Sequence, residues 1–181
     1  SRVACGLGPL APMDSLAARF EPLVAKDPVD FLDAIKPIEA AGIIPDVMRF
    51  AEITLQNARD AKEFGDLKDD PLEVQGIAYI MKYSAEDSVP TFYGDMNNKC
   101  YDKDRKKIAP YGKYMVGLVK HMKEVPPYPN TSVTRGVKAD LKADYPEGRE
   151  FTWYGFCSTT KSVKVLENPQ FCGTTGARTI F

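Results

Sequence analysis

The spacing of apolar residues predicts that helices occupy the first two thirds of the chain. The clearest pattern places apolar residues at positions i, i+4, i+8, i+11 and i+14, which share one face of an α-helix. These residues are Val47, Ala51, Leu55, Ala58 and Ala61. Pro45 precedes the stripe and Gly65 follows it, and both residue types are frequent at helix boundaries. We therefore predict an amphipathic helix between these two residues.

Helical spacing recurs on both sides of this segment. The pair Asp14-Ser15 is the predicted N-cap of one helix. Asp27 before Pro28 is the predicted N-cap of the next helix, which Gly42 closes. Pro37 lies inside that second helix, and because proline removes a backbone donor we expect a kink or a break there. Three further helices are predicted downstream, at residues 71–84, 90–99 and 108–124.

The pattern changes after a proline-rich connector at residues 125–129. Three segments rich in β-branched or aromatic residues are predicted strands: Ser132–Val137, Arg149–Phe156 and Ala177–Phe181. Helices followed by strands indicate an α+β fold. The polar segment at residues 65–71 predicts a boundary between a helical N-terminal extension, residues 1–70, and a second domain, residues 71–181.

The charge balance limits the classes of partner. The 181 residues include 24 basic and 25 acidic side chains, for a net charge of −1, whereas a general nucleic-acid binder needs a basic excess. No apolar run approaches the roughly 20 residues of a membrane-spanning helix, and the N-terminus lacks the apolar core of a signal peptide. We predict no nucleic-acid partner and no membrane span, and the compartment stays open between cytoplasmic and secreted.

The cysteines and the single histidine do not predict a metal site. The four cysteines form no CxxC pair, and a zinc site needs more Cys or His ligands than the chain groups together. The even number permits two disulfides in three pairings, and buried free thiols fit the composition equally well: the residues are Cys5, Cys100, Cys157 and Cys172. His121 lies between lysines near the end of a predicted helix, so we interpret it first as a surface residue and second as a general base.

The candidate chemistry lies in two of the predicted strands. Arg135 stands beside Gly136, and about twenty residues later a strand ends in Ser158-Thr159-Thr160. An arginine next to a glycine, facing a row of hydroxyls, predicts a cradle for phosphate and amide groups. Other catalytic patterns are missing from the sequence: it has no P-loop and no GxSxG elbow, and Cys157 has no basic neighbour that would activate it.

These motifs resemble those of the mono-ADP-ribosyltransferases of the arginine–serine–glutamate class, such as the eukaryotic NAD–arginine transferases. The resemblance covers residues 72–181 and leaves residues 1–70 outside it. The segments that carry it are Val133–Val137, Trp153–Thr160, Phe171–Gly173 and Gly176–Phe181, with weaker similarity upstream at Gln75–Ile80 and Tyr93–Asn97. It implies a helical N-terminal half packed on the split β-sandwich of that family.

The resemblance also implies a role for each matching residue. Arg135 would bind the NAD pyrophosphate through its guanidinium fork, and Gly136 would present backbone to the nicotinamide amide. Ser158, with Thr159 and Thr160 behind it, would orient NAD and a catalytic glutamate. Phe171 would stack on the nicotinamide ring. The implied reaction transfers ADP-ribose from NAD to a protein side chain, with arginine as the first candidate acceptor, and needs no metal.

The chain departs from the family in one respect. The family places a Glu-x-Glu pair on a later strand, and no such pair occurs here; Glu147, Glu150 and Glu167 stand in a different order and context. We therefore expect the glutamate segment, and a segment that completes the sheet, to follow Phe181 or to come from a second chain. The alternatives left open are a non-catalytic NAD-binding or protein-interaction module and an NAD glycohydrolase.

Overall fold

The computed structural model describes residues 29–126, 132–151, 153–169 and 171–181. These residues fall into two compact units, a helical unit that contains residues 29–126 and a C-terminal unit that contains the described residues from 132 onwards. The division does not coincide with the polar segment 65–71, which connects two helices inside the helical unit.

Five α-helices and one 3₁₀ helix make up the described part of the helical unit. They are α1 (Phe31–Ala40), α2 (Val47–Glu63), α3 (Val74–Ser84), α4 (Phe92–Tyr101), the 3₁₀ helix η1 (Arg105–Tyr111) and α5 (Gly112–Glu124). The predictions for α1 to α4 are confirmed to within a few residues at each end. The helix predicted at residues 108–124 divides into η1 and α5. The helix predicted after Asp14 lies outside the described residues.

Helix α1 begins at an N-cap that also ties it to α3. The side chain of Asp30 accepts a hydrogen bond from the Leu32 amide at 2.9 Å and another from Gln75 Nε2 at 2.8 Å. Gln75 Oε1 in turn accepts from the Phe31 amide at 2.8 Å. The N-cap predicted at Asp27 lies outside the described residues, and α1 begins after Asp30 instead. The break expected at Pro37 does not occur, since α1 continues to Ala40.

The predicted stripe of α2 forms part of the helical core. Its members Val47, Ala51, Leu55 and Ala58 are buried, and α2 packs against α1 and α3. Apolar residues spaced at helical intervals are buried together because the 3.6-residue period places them on one face. This part of the fold follows from local sequence.

The centre of the helical unit is a cluster of aromatic rings around Tyr79 of α3. The Tyr79 ring lies 5.2 Å from that of Phe31 and 5.3 Å from that of Tyr114, measured between centroids. Its hydroxyl donates to the Val29 carbonyl at 3.0 Å, and its own carbonyl accepts from the Tyr114 hydroxyl at 2.6 Å. Each buried tyrosine hydroxyl therefore has a partner, which avoids the cost of burying an unpaired polar group.

The interpretation of His121 as a surface residue is wrong. Its side chain is buried, with its ring centroid 5.4 Å from that of Tyr79. A Cβ atom at Gly76 would lie 2.9 Å from His121 Nδ1, so the absence of a side chain at Gly76 makes room for the imidazole. The flanking lysines suggested a polar face. The helical period instead places His121 on the same face of α5 as the buried Tyr114 and Leu118.

The C-terminal unit contains one small sheet. Strands β1 (Gly136–Val137) and β2 (Thr179–Ile180) pair antiparallel, with Gly136 opposite Ile180. Beyond them, Arg135 and Phe181 exchange two backbone hydrogen bonds of 3.0 and 2.9 Å. An isolated antiparallel bridge joins Thr134 to Thr160. A short helix, α6 (Val163–Leu166), follows Thr160.

The predicted split β-sandwich is wrong for the residues that the structure describes. Helices predominate, and the two short strands form the one sheet seen in those residues. The strand predicted at residues 149–156 is not formed in its described part. Strand propensity reflects how well a side chain fits a half-buried surface, and here the rings of Phe151 and Trp153 pack on Tyr145 and Phe181 without backbone pairing.

Candidate functional site

Arg135 stands at the edge of the small sheet, held by both backbone bonds to Phe181. Its guanidinium donates from Nη1 to the Ser158 carbonyl at 3.2 Å and lies 5.7 Å above the ring centroid of Trp153. Within the described ranges no carboxylate forms an ion pair with it. The guanidinium is therefore held by a carbonyl and an aromatic face.

The hydroxyl segment lies next to Arg135 because Thr134 and Thr160 are paired. Thr134 and Thr160 exchange two backbone hydrogen bonds of 2.7 and 2.8 Å, and the Thr134 hydroxyl also donates to the Thr160 carbonyl at 3.0 Å. Ser158 and Thr159 are exposed. The structure thus brings Arg135 and Ser158 together, as predicted, through the Ser158 carbonyl.

The hydroxyl of Thr160 is already engaged locally. It accepts a hydrogen bond from the Ser162 amide at 3.2 Å and lies 3.4 Å from the Ser162 carbonyl oxygen. This turn follows the pattern by which threonine hydroxyls compete for nearby backbone groups. Of the three predicted hydroxyl residues, Ser158 and Thr159 are exposed to solvent, and Thr160 anchors the start of α6.

Gly136 is required by packing in the small core of the C-terminal unit. A Cβ atom at this position would lie 2.7 Å from Cys172 Cβ and 3.4 Å from Leu166 Cδ2, and both of these residues are buried. The glycine therefore lets β1 approach the small core of the C-terminal unit. Its predicted contact with the nicotinamide amide stays a prediction.

We expect Gly136→Ala to destabilise the C-terminal unit by about 1–3 kcal/mol, because the added methyl group overpacks a closed core. The chain has one tryptophan, Trp153, so its fluorescence during denaturation reports on this unit. An unfolding midpoint equal to that of the unaltered protein would contradict the packing role of Gly136.

The structure places Trp153, and not Phe171, next to Arg135. Phe171 lies in the turn after Asn168 with its side chain 53% exposed, and its stacking on nicotinamide stays a prediction. Trp153, interpreted only as a core residue, contacts Arg135 and packs edge-on against Phe181 with centroids 5.5 Å apart. The sequence signal that could have identified Trp153 was its place in the segment that leads into Ser158.

Cys157 does not have the features of a nucleophile. Burial raises the pKa of its thiol, and the nearby Arg135 charge only partly opposes that rise. A thiol with a raised pKa is mostly protonated at neutral pH and reacts slowly. Cys100, Cys157 and Cys172 are free thiols in the structure, and Cys5 lies outside the described residues.

No three His, Cys, Asp or Glu side chains in the described ranges are grouped as metal ligands. In the same ranges no helix has the length and apolar character needed to cross a membrane. The chain matches no protein-family model, no curated protein and no solved structure.

Proposed function

We propose that this protein binds NAD through Arg135 and transfers its ADP-ribose group to a protein side chain. The observation that carries the proposal is the meeting of Arg135 with Ser158, the two residues on which the resemblance to the arginine–serine–glutamate transferases depends. They are separated by 23 positions in sequence and joined by a 3.2 Å hydrogen bond. The proposal concerns this site alone and not the sandwich fold of that family.

The state of the guanidinium supports an anionic ligand. Within the described residues no carboxylate pairs with Arg135. One donor nitrogen is used by the Ser158 carbonyl, and the guanidinium carries five N–H donors in all. The remaining donors are suited to bidentate, charge-assisted hydrogen bonds with a pyrophosphate.

In the proposed reaction the bond between the nicotinamide nitrogen and ribose C1′ breaks, and nicotinamide leaves with the bonding electrons. A nucleophilic atom of the acceptor then forms a bond to C1′ and releases its proton. The anionic pyrophosphate stays bound to Arg135 while positive charge develops at C1′. Binding of the pyrophosphate by Arg135 would lower the barrier by positioning C1′ for the acceptor.

Replacing Arg135 with alanine is expected to weaken NAD binding. The loss of charge-assisted hydrogen bonds should cost about 1.5–3 kcal/mol, which corresponds to about a 10- to 150-fold higher Kd. Isothermal titration calorimetry with NAD and the full chain measures this Kd. Arg135→Lys keeps the charge but loses the planar fork, so its Kd should lie between those of the unaltered protein and Arg135→Ala.

The matched control is Arg59→Ala, which removes an exposed arginine of α2 in the helical unit. Its Kd for NAD should equal that of the unaltered protein. Equal affinity of Arg135→Ala and Arg59→Ala would overturn the assignment of Arg135, and no NAD binding by the unaltered chain would overturn the proposed function.

A second candidate function is a non-catalytic NAD-binding or protein-interaction module. One observation favours it, namely that the chain contains no Glu-x-Glu sequence. Incubation with NAD and an arginine-rich acceptor peptide separates the candidates by mass spectrometry. ADP-ribose attached to the peptide supports the transferase, and free ADP-ribose with nicotinamide indicates transfer to water. NAD binding without either product supports the module.

A further inference from the structure

A cleft in the C-terminal unit is lined by residues other than those predicted to bind NAD. It has a volume of about 560 Å³, within the range of roughly 300–1,000 Å³ typical of small-molecule sites. Its walls come from residues 140–145 after β1, from residues 149–151, and from residues 178–181 in and around β2. Neither Arg135 nor Ser158 lines the cleft, so the proposed NAD binding at Arg135 does not account for it.

The cleft concentrates positive charge in a chain whose overall net charge is −1. Lys142, Arg149 and Arg178 line it, opposed by one acidic side chain, Asp140. Asp140 is itself engaged, since its Oδ1 accepts a hydrogen bond from the Lys142 amide at 3.0 Å. In the part of the chain that the structure describes, none of the three cationic side chains forms an ion pair.

The two arginines are held in place without losing their capacity to bind an anion. Arg178 donates from Nη1 to the Gly173 carbonyl at 2.9 Å. The Arg149 guanidinium lies 5.3 Å above the ring centroid of Phe151. Each guanidinium has five N–H donors, so both keep donors for an oxyanion. Side chains that are already positioned lose less conformational entropy when a ligand binds.

Aromatic rings form the apolar part of the same cleft. Tyr145 and Phe181 are half-buried, with ring centroids 4.8 Å apart, and the ring of the buried Phe151 lies 4.9 Å from that of Tyr145. Exposed parts of aromatic rings offer packing area to a flat ring. A ligand that satisfies both parts of the cleft has an oxyanion at one end and a planar ring at the other.

We propose that this cleft binds a small phosphate ester that carries a flat ring, of the class of nucleoside monophosphates. Lys142, Arg149 and Arg178 would bind the phosphate, and the Tyr145 and Phe181 rings would pack against the base. The guanidinium fork matches phosphate geometry bidentately. The inference does not depend on NAD binding at Arg135, although Phe181 contributes to both regions through its contacts with Trp153 and Tyr145.

The test is calorimetric titration of the full chain with AMP, in the unaltered protein and in Arg135→Lys. Binding with similar Kd in both proteins is expected, because Arg135 does not line the cleft. The double variant Arg149→Gln, Arg178→Gln should raise the Kd by at least about tenfold, because two charge-assisted partners are lost. Arg59→Gln is the matched control and should leave the Kd unchanged.

Two further ligands test the contributions of the phosphate and of the flat ring separately. Ribose 5-phosphate should bind more weakly than AMP, and adenosine should bind at least about tenfold more weakly because it lacks the charge. If the double variant lowers the unfolding midpoint, Lys142→Gln replaces it, since the exposed Lys142 ammonium has no hydrogen bond or ion pair within the described residues. The proposal is overturned if AMP does not bind, or if Arg135→Lys abolishes binding that the cleft variants retain.

Discussion

Asp87→Ala is expected to lower the free energy of unfolding of the helical unit by about 3–5 kcal/mol, because it leaves a buried ammonium without its carboxylate. Lys82 of α3 is fully buried, and its Nζ lies 2.9 and 2.6 Å from the two carboxylate oxygens of Asp87. The partner is less enclosed, with its side chain 22% exposed.

The surroundings of Lys82 explain why no other group replaces Asp87. The ammonium lies 5.6 Å from the ring centroid of Phe50 and 5.3 Å from that of Phe92. Cation–π attraction to these rings is worth about 0.5–2 kcal/mol, which is smaller than the cost of removing an ammonium from water. The pair with Asp87 is therefore required once Lys82 is charged and buried.

Two control variants make this prediction specific. Lys82→Met removes the buried charge together with the pair, and because Asp87 remains partly solvated it should change stability far less than Asp87→Ala. Asp33→Ala breaks an exposed ion pair with Lys36 in α1, which solvent screens, and should lower stability far less than Asp87→Ala. Urea denaturation followed by circular dichroism measures all three. Similar losses for Asp87→Ala and Asp33→Ala would contradict the argument.

The helical unit shows which features a sequence can predict. The stripe of α2 and the approximate bounds of α1, α3 and α4 follow from local spacing, because a helix satisfies its backbone within its own segment. The burial of Lys82 and His121 does not follow, since both are polar and the sequence context favours exposure. Their burial depends on tertiary contacts, with Asp87 for the lysine and with Gly76 and Tyr79 for the histidine.

In the C-terminal unit a long-range contact was predicted correctly, whereas a local strand was not. The contact between Arg135 and the segment that contains Ser158 agrees with the prediction that the arginine faces the row of hydroxyls, although it is made through the Ser158 carbonyl. The strand at residues 149–156 was not predicted correctly, because a strand needs a partner for each backbone group and propensity cannot supply one. The place of Trp153 beneath Arg135 depends on ring packing with Phe181, which no local pattern encodes.

Gly117→Ala is expected to destabilise the helical unit by about 3 kcal/mol, the upper part of the range for overpacking a closed core. A Cβ atom at Gly117 would lie 2.2 Å from Tyr79 Cζ and 2.6 Å from its hydroxyl oxygen. The ring cannot move aside, because its hydroxyl is bonded to the Val29 carbonyl and it packs against Phe31 and Tyr114. Helices α3 and α5 would have to separate.

The same helix provides the control. A Cβ atom at Gly112 would meet nothing within 4 Å, so Gly112→Ala should be neutral or stabilise by up to about 1 kcal/mol through helix propensity. Tyr79→Ala removes the ring that Gly117 accommodates, so Gly117→Ala should cost much less in that background, a non-additivity measured by a double-mutant cycle. If the two losses are additive, the cost of Gly117→Ala does not arise at the Tyr79 ring. The close approach of α3 and α5 would then not explain why position 117 is a glycine.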